Sequence, residues 1–236
     1  MVSYPCPMPE SPPELHVSDD PARVVAELLA DTAARGGSIV LTGGSTPARA
    51  YHLAASYQPD WGEVTVWWGD ERCVPPDDER SNFGMAQRTL LDNLAVQPRA
   101  VHRIRGEAEP EEAAAEYDAA LEGVHLRLNL LGIGPDSHAA SLFPNSPGLH
   151  ERDRRAIAVN PGLEPFVRRV TMTPPMLANA DVVLFLVTGR DKAEAVARAF
   201  EEPETDAVPA GRIRSRDGRT LAVLDREAAE RLSSSI

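Results

Sequence analysis

Short apolar stretches alternate along the chain with segments in which apolar residues recur at helical spacing. The first pattern is typical of buried strands, and the second is typical of helices that cover a sheet. The predicted strands are residues 38–42, 64–68, 126–131, 156–159, 170–172, 182–187 and 221–224. The predicted helices start near residues 21, 48, 83, 110 and 189, and a short terminal helix closes the chain.

The first predicted helix carries recognisable start and stop signals. Ser18-Asp19-Asp20-Pro21 predicts its start, because a short polar side chain can cap free backbone N–H groups and proline suits the first turn. Gly36-Gly37 predicts its end, because glycine readily adopts the left-handed backbone that follows many helices.

Strands separated by helices predict βαβ units and a mostly parallel sheet. We therefore expect a single α/β domain over residues 15–236, with a mostly parallel β-sheet flanked by helices in a Rossmann-like arrangement. Residues 1–14 are expected to form an extended N-terminal arm, and plain disorder is the alternative. In such a sheet, ligands bind outside the carboxyl ends of the strands.

Acidic residues outnumber basic ones 36 to 24, which gives a formal net charge of −12. This charge disfavours nucleic acids and membranes as partners, because both attract clustered cations. A small anionic substrate would need local cations in its site. The two cysteines, Cys6 and Cys73, form no disulfide framework or zinc pattern, and the first residues lack the features of a signal peptide. We therefore expect a cytoplasmic protein.

Gly43-Gly44-Ser45-Thr46-Pro47 joins a predicted strand to a predicted helix. Glycine lets a ligand approach the backbone closely, and free N–H groups at a helix start favour an anion such as a phosphate. Ser45 or Thr46 can also cap the helix. The local pattern fits a phosphate site and an ordinary strand–helix turn equally well.

Three charged residues, Asp70, Glu71 and Arg72, directly follow another predicted strand. Buried charges are costly, so these side chains are either solvated or used for chemistry. The planar fork of Arg72 suits a phosphate or a carboxylate, whereas an exposed acidic loop with an internal ion pair is the simpler interpretation. Arg168 and Arg169 can add cations to a cleft, although a solvated surface pair is again the simpler interpretation.

Asp136 and His138 follow the predicted strand 126–131 and are two positions apart, so a turn can point both into one cleft. Imidazole titrates near neutrality and is the usual general base, and a neighbouring acid can orient the ring or hold its charge. A hydrogen-bonded structural histidine is the default for so short a pattern. The other histidines show no ligand spacing, so no metal site is predicted.

Lys192 is the only lysine in the sequence, because every other basic residue is arginine. It lies where the strand 182–187 is expected to give way to a helix. A compact ammonium on a flexible stem suits a phosphate near a helix start, and this interpretation is favoured over a stray surface lysine.

Together these segments resemble the 6-phosphogluconolactonase family, within the larger group that includes glucosamine-6-phosphate deaminases. The similar stretches are LTGGSTPARAY, WWGDERCVPPDDERSNFGMA, LLGIGPDSHAASLFP, RRVTMTPPMLANADVVLFLVTGRDKAEAV and VPAGRI. They occur in the family's order between Leu41 and Ile213, and five motifs in order are far more specific than any one of them. The resemblance implies a fold of the NagB/RpiA type.

The resemblance also implies hydrolysis of 6-phospho-D-glucono-1,5-lactone to 6-phosphogluconate, by an enzyme with no cofactor and no metal. It implies that His138 is the catalytic base with Asp136 beside it, and that Asp70 matches an acidic position used for proton transfer in the deaminases. The residues implied for substrate and phosphate binding are Gly43, Gly44, Ser45, Thr46, Arg72, Arg169 and Lys192. We expect a monomer or a weak homodimer.

One departure from the family pattern lies within the candidate site. The family usually reads Asp-Gly-His, whereas this chain has Asp136-Ser137-His138. If the backbone at Ser137 has positive φ, serine there costs about 1 kcal/mol or more and tilts the imidazole. The run TMTPPML also departs from the usual pattern, with little expected consequence.

Two alternative functions are compatible with parts of the sequence. A glucosamine-6-phosphate deaminase would be expected to supply a further acid after the histidine, where this chain has Ala139-Ala140-Ser141. A non-catalytic sugar-phosphate sensor would keep the glycine-rich turn and Lys192 but would not need Asp136 and His138. Such a sensor is normally joined to a DNA-binding helical segment, which the short proline-rich N-terminus does not resemble.

Overall fold

The computed structural model describes residues 12–162, 164 and 166–233. The strands are β1 (Glu14–Val17), β2 (Gly37–Leu41), β3 (Val64–Trp68), β4 (Asp70–Arg72), β5 (Ala100–Val101), β6 (Leu126–Leu131), β7 (Ala156–Val159), β8 (Arg169–Met172), β9 (Ala180–Val187) and β10 (Arg219–Leu224). The α-helices are α1 (Pro21–Arg35), α2 (Ser45–Tyr57), α3 (Asn82–Thr89), α4 (Pro110–Ala120), α5 (Pro174–Leu177) and α6 (Ala193–Glu201). Short 3-10 turns cover Leu91–Asn93, Pro147–His150, Arg190–Lys192 and Pro209–Arg212.

Within the described residues, seven strands form one parallel sheet in the order β1-β10-β9-β6-β2-β3-β5. The prediction of a mostly parallel α/β sheet flanked by helices is confirmed. The sheet gains an unpredicted edge strand, because β1 pairs in parallel with β10 from Glu14 onward. Most of the predicted arm, residues 1–11, lies outside the described residues, so the arm and its boundary at residue 14 stay a prediction.

The first helix forms where its signals place it. The Asp20 carboxylate accepts a hydrogen bond from the backbone N–H of Arg23 at 3.2 Å, and Pro21 occupies the first turn. The helix stops at Gly36, whose φ of 69° is the left-handed conformation that glycine adopts most easily. Its buried face, which includes Val25 and Leu29, packs into the core.

The tryptophans at the end of β3 are both in the core. Trp67 stacks on the ring of His102 with centroids 4.1 Å apart, while Trp68 meets Phe83 edge-on at 5.4 Å. Adjacent residues of a strand point to opposite faces, so the two indoles anchor different layers against the sheet. β3 is thereby held firmly just before the charged segment that follows it.

That charged segment is not the exposed acidic loop that the sequence favoured. It forms β4, which pairs with β8 in a small antiparallel sheet of order β4-β8-β7. Asp70 is 5% exposed and Glu71 is 2% exposed. Glu71 tolerates burial because its carboxylate accepts backbone hydrogen bonds from Arg72, Asn82 and Phe83, the last two at the start of α3. Burial nevertheless raises the pKa of Glu71.

Two further details differ from the predictions. α2 starts at Ser45, and its cap is Gly44 with no side-chain hydrogen bond, so neither Ser45 nor Thr46 caps it. The cap position is occupied by a residue without a side chain, and the Thr46 hydroxyl pairs with that of Thr188. The predicted terminal helix does not form within the described residues, because residues after 224 make turns as far as residue 233.

None of the helices that the described residues form has the length and apolar character needed to cross a membrane.

Candidate active site

The four polar segments that follow strands are connected to one another at the carboxyl edge of the sheet. The hydroxyls of Thr46 and Thr188 lie 2.8 Å apart and join the glycine-rich turn to the segment after β9. The backbone of Gly43 lies against Asn82, which donates hydrogen bonds to Asp70 in the segment after β3. Ser141, in the segment after β6, donates to the same aspartate at 2.5 Å. These contacts bring the four segments together at one edge of the sheet.

Asp136 and His138 form a hydrogen-bonded pair in a tight turn after β6. One oxygen of Asp136, Oδ1, lies 2.6 Å from Nδ1 of His138 and also accepts its backbone N–H at 3.2 Å. The turn closes through backbone bonds between Gly134 and residues Ser137 and His138, each 2.9 Å long. In the neutral ring, a proton on Nδ1 that is held by Asp136 leaves the lone pair on Nε2. That nitrogen can accept a proton.

The environment of Asp136 favours the ionised form of its carboxyl group. Burial opposes ionisation, but the hydrogen bond and the charge of His138 outweigh it and lower the pKa of Asp136. The turn therefore favours a negative charge beside the imidazole.

Gly134 has a steric role that the sequence did not reveal. A Cβ atom at this position would lie 2.0 Å from Nδ1 of His138 and 2.8 Å from an oxygen of Asp136. The backbone and the ring are therefore in direct contact, which fixes how the imidazole is placed. The Gly-x-Gly spacing after β6 was the available signal.

An aromatic ring connects the imidazole to a buried cation. The Phe143 ring lies 5.1 Å from the His138 ring, and the guanidinium of Arg169 lies 5.5 Å from the centroid of the same phenyl ring. A Cβ atom at Gly162 would lie 2.4 Å from Phe143, so the chain before β8 runs directly over it. Sequence reasoning did not select Phe143, although it belongs to the SLFP stretch.

The structure separates the two neighbouring arginines, which were favoured as a solvated surface pair. Arg168 forms a surface ion pair with Glu111, whereas Arg169 is 3% exposed. Burial lowers the pKa of Arg169, and the charge of Asp70 opposes this shift. Successive residues of a strand point to opposite sides, and Arg169 pairs across the ladder with Arg72 of β4. Two guanidinium groups are thus contributed by one small sheet.

Lys192 ends the 3-10 turn that leads into α6. Its side chain is 23% exposed, and Nζ lies 3.1 Å from a carboxylate oxygen of Asp191. Gly189, with φ of 96°, begins this turn, and its N–H donates to the carboxylate of Asp225 at about 3 Å. The contact between Thr188 and Thr46 places this segment beside the start of α2.

The start of α2 retains backbone donors that no side chain caps. Gly44 has φ of 115°, a conformation that favours glycine, and the first turn contains Ser45 and Thr46. A helix start with uncapped N–H groups attracts an anion through these donors and the helix dipole. Gly43 is explained by its close approach to the Asn82 side chain, and Gly44 by its positive φ.

Ser137 adopts the left-handed conformation in which the sequence expected strain. Its φ is 72°, it is fully buried, and its hydroxyl has no hydrogen-bond partner among the described residues. Both features are unfavourable for serine, the first by about 1–2 kcal/mol and the second by about 1–3 kcal/mol.

Replacement of Ser137 by glycine is expected to stabilise the protein by about 1–2 kcal/mol, after allowing for the greater backbone entropy of glycine when unfolded. The midpoint of thermal unfolding should rise by a few degrees. Asn145→Gly is a matched control, because Asn145 has φ of 57° and asparagine tolerates this region. An unchanged or lower melting temperature for Ser137→Gly would contradict the assignment of strain.

The described residues contain no group of three or more histidine, cysteine, aspartate or glutamate side chains placed to hold a metal ion.

Comparison with known proteins adds an independent finding. The family model described as glucosamine-6-phosphate isomerases/6-phosphogluconolactonase matches residues 14–222. The 6-phosphogluconolactonase of Streptomyces coelicolor is 36% identical over 244 residues, which cover 94% of this chain and 93% of that protein. The 6-phosphogluconolactonase of Mycobacterium tuberculosis is 36% identical over 228 residues, covering 90% and 92%. The solved structure of 6-phosphogluconolactonase from Trypanosoma brucei is 26% identical, covers 94% of this chain and 99% of that one, and superposes with a TM-score of 0.83.

Proposed function

Because the chain belongs to the glucosamine-6-phosphate isomerase/6-phosphogluconolactonase family, we propose that it hydrolyses 6-phospho-D-glucono-1,5-lactone to 6-phosphogluconate in the oxidative pentose phosphate pathway. The observation that carries the proposal is the hydrogen-bonded Asp136–His138 pair at the carboxyl edge of a parallel sheet. Relatives that are about one third identical to this chain over nine tenths of its length are named 6-phosphogluconolactonase.

Hydrolysis of a lactone requires a water nucleophile, removal of one of its protons and stabilisation of the oxyanion that forms. His138 accepts the proton at Nε2 while water adds to the carbonyl carbon. The resulting imidazolium is stabilised by the Asp136 carboxylate, which holds Nδ1–H at 2.6 Å. The imidazolium then returns the proton to the ring oxygen as the carbon–oxygen bond breaks, which yields the open-chain acid.

The remote phosphate of the substrate is held by cations and by backbone donors. The groups that serve this purpose are Gly43, Gly44, Ser45 and Thr46 at the start of α2, together with Arg72, Arg169 and Lys192. A chain with a formal net charge of −12 needs such a local concentration of cations to bind an anion. Binding the phosphate fixes the sugar, so that water, carbonyl and imidazole align and binding energy contributes to rate.

The deciding assay measures disappearance of the phosphorylated lactone with purified protein, corrected for spontaneous ring opening. We expect enzyme-dependent hydrolysis, and a much lower rate with the phosphate-free gluconolactone. Ammonia release from glucosamine 6-phosphate, without lactone hydrolysis, would show a deaminase instead. Binding of 6-phosphogluconate with no rate above the spontaneous background would show a sensor.

We also propose that the enzyme works in the cytoplasm as a monomer or weak homodimer, without a nucleic-acid or membrane partner. The acidic composition supports the absence of polyanionic partners. Light scattering at increasing protein concentration measures the oligomeric state, and a stable assembly larger than a dimer would contradict this part of the proposal.

A further inference from the structure

The loop that carries His138, residues 132–145, is locally strained. Among the described residues, the non-glycine residues with positive φ are Ser137, Ala140 and Asn145, at 72°, 50° and 57°. All three belong to this loop. Asparagine tolerates this region, but for Ser137 and Ala140 left-handed backbone costs about 1–2 kcal/mol and persists only where surrounding contacts enforce it. Some part of the fold must therefore hold the loop in place.

One such contact is made by Ser141, three residues after His138. Its hydroxyl donates to Oδ2 of Asp70 at 2.5 Å, and its backbone N–H donates to the hydroxyl of Thr171 at 3.2 Å. Ser141, Asp70 and Thr171 are all buried. Asp70 and Thr171 face each other across the β4–β8 ladder, so the small antiparallel sheet presents both partners together.

The Asp70 carboxylate is already engaged by protein groups. Oδ2 receives the Ser141 hydroxyl, and Oδ1 lies 3.3 Å from the side-chain amide of Asn82, which also donates to the Asp70 backbone carbonyl at 2.9 Å. The negative charge also interacts with the buried guanidinium of Arg169. Each oxygen of the carboxylate therefore already faces a protein donor, and the burial of Asp70 leaves little of its surface open to a substrate.

We propose that Asp70 and Ser141 are positioning residues that hold the His138 loop against the β4–β8 sheet and exchange no proton with the substrate. This role differs from the proton transfer that the resemblance to deaminases implies at the position of Asp70. The inference rests on the proposed function, since its readout is lactone hydrolysis. Placement of His138 affects rate strongly, because a displacement of about 1 Å in a reacting group can cost about 100-fold.

The first test compares Asp70→Asn with Asp70→Ala. Asparagine keeps the shape of the side chain and a hydrogen bond to the Ser141 hydroxyl, which can donate or accept, but it cannot transfer a proton. We expect Asp70→Asn to keep kcat within about tenfold of the parent enzyme, and Asp70→Ala to lose about 100-fold with a smaller change in KM. Loss of kcat in Asp70→Asn as large as in His138→Ala would overturn the proposal.

The second test is a double-mutant cycle between Asp70→Ala and Ser141→Ala. If both residues act through one hydrogen bond, the double variant should be no slower than the slower single variant. Ser56→Ala is the matched control, because Ser56 lies exposed on α2 and bonds only within its own helix. Additive effects, or normal kcat in a folded Ser141→Ala variant, would contradict the shared role.

The third readout is the pH dependence of kcat/KM. If Asp70 only positions the loop, the pH profile of Asp70→Asn should have the same rising and falling limbs as that of the parent enzyme. If Asp70 transfers a proton, one of these limbs should be missing from the profile of the variant. Thermal melts identify any variant that fails to fold. If an Asp70 variant does not fold, Ser141→Ala is used in its place, because it removes only one oxygen atom from the protein. An inactive parent enzyme would refute the proposed function itself, which separates that failure from a failure of this inference.

Discussion

Alanine in place of His138 is expected to lower kcat by about 10²–10⁴-fold, the usual contribution of a positioned general base. The reason is that Nε2 is the proton acceptor that the Asp136 hydrogen bond leaves available. KM should change little, because the imidazole acts on the attacking water rather than on the phosphate. Steady-state hydrolysis of the phosphorylated lactone, corrected for spontaneous opening, measures both constants.

The chain offers a close control for this variant. His125 forms a similar contact with Asp181, with Nε2 2.7 Å from the carboxylate, but at the amino-terminal end of β6 and β9. His125→Ala should therefore leave kcat unchanged. If His138→Ala retained near-normal turnover, the assignment of the base would be wrong.

Removal of the ammonium in Lys192→Ala is expected to raise KM about 10- to 100-fold and to change kcat much less. A hydrogen bond to a charged group contributes about 1.5–3 kcal/mol, and 1.4 kcal/mol corresponds to a tenfold change in binding. Kinetics with the phosphorylated and the phosphate-free lactone test the role directly. The KM increase should appear with the first substrate and be absent with the second.

Arg190→Ala is the matched control, because Arg190 is a cation two residues away that is exposed and paired with Glu230. Its KM should stay close to that of the parent enzyme. An unchanged KM in Lys192→Ala, or a collapse of kcat alone, would show that the ammonium does not bind the phosphate.

Local patterns predicted the main sheet well. β3 and β6 have the predicted bounds, and β2, β9 and β10 differ from the predicted bounds by one to two residues. The reason is that a short apolar run between polar turns has few ways to be buried other than as an inner strand of a parallel sheet. The bounds of α1 were predictable for a similar reason, because its capping residues are its immediate neighbours in the sequence.

The burial of Asp70 and Glu71 could not be predicted in this way. Their charges suggested solvent exposure, and what makes burial tolerable is a set of donors at the start of α3, about ten positions later in the chain. Likewise, the sequence pattern did not distinguish Arg169 from Arg168. Only the pairing of β8 with β4 places Arg169 in the interior and leaves Arg168 at the surface.

The amino-acid sequence by itself determined the order of strands and helices, the placement of the polar segments after strands, and the pairing of Asp136 with His138, because each depends on neighbours within a few positions. Tertiary structure alone decided that Ser141 meets Asp70 across 71 positions, and that Phe143 lies between the imidazole and Arg169. Such contacts depend on how segments that are distant in sequence pack together. Hydrophobic periodicity predicts strands and helices, but it does not indicate which polar atoms will be in contact once these elements are packed.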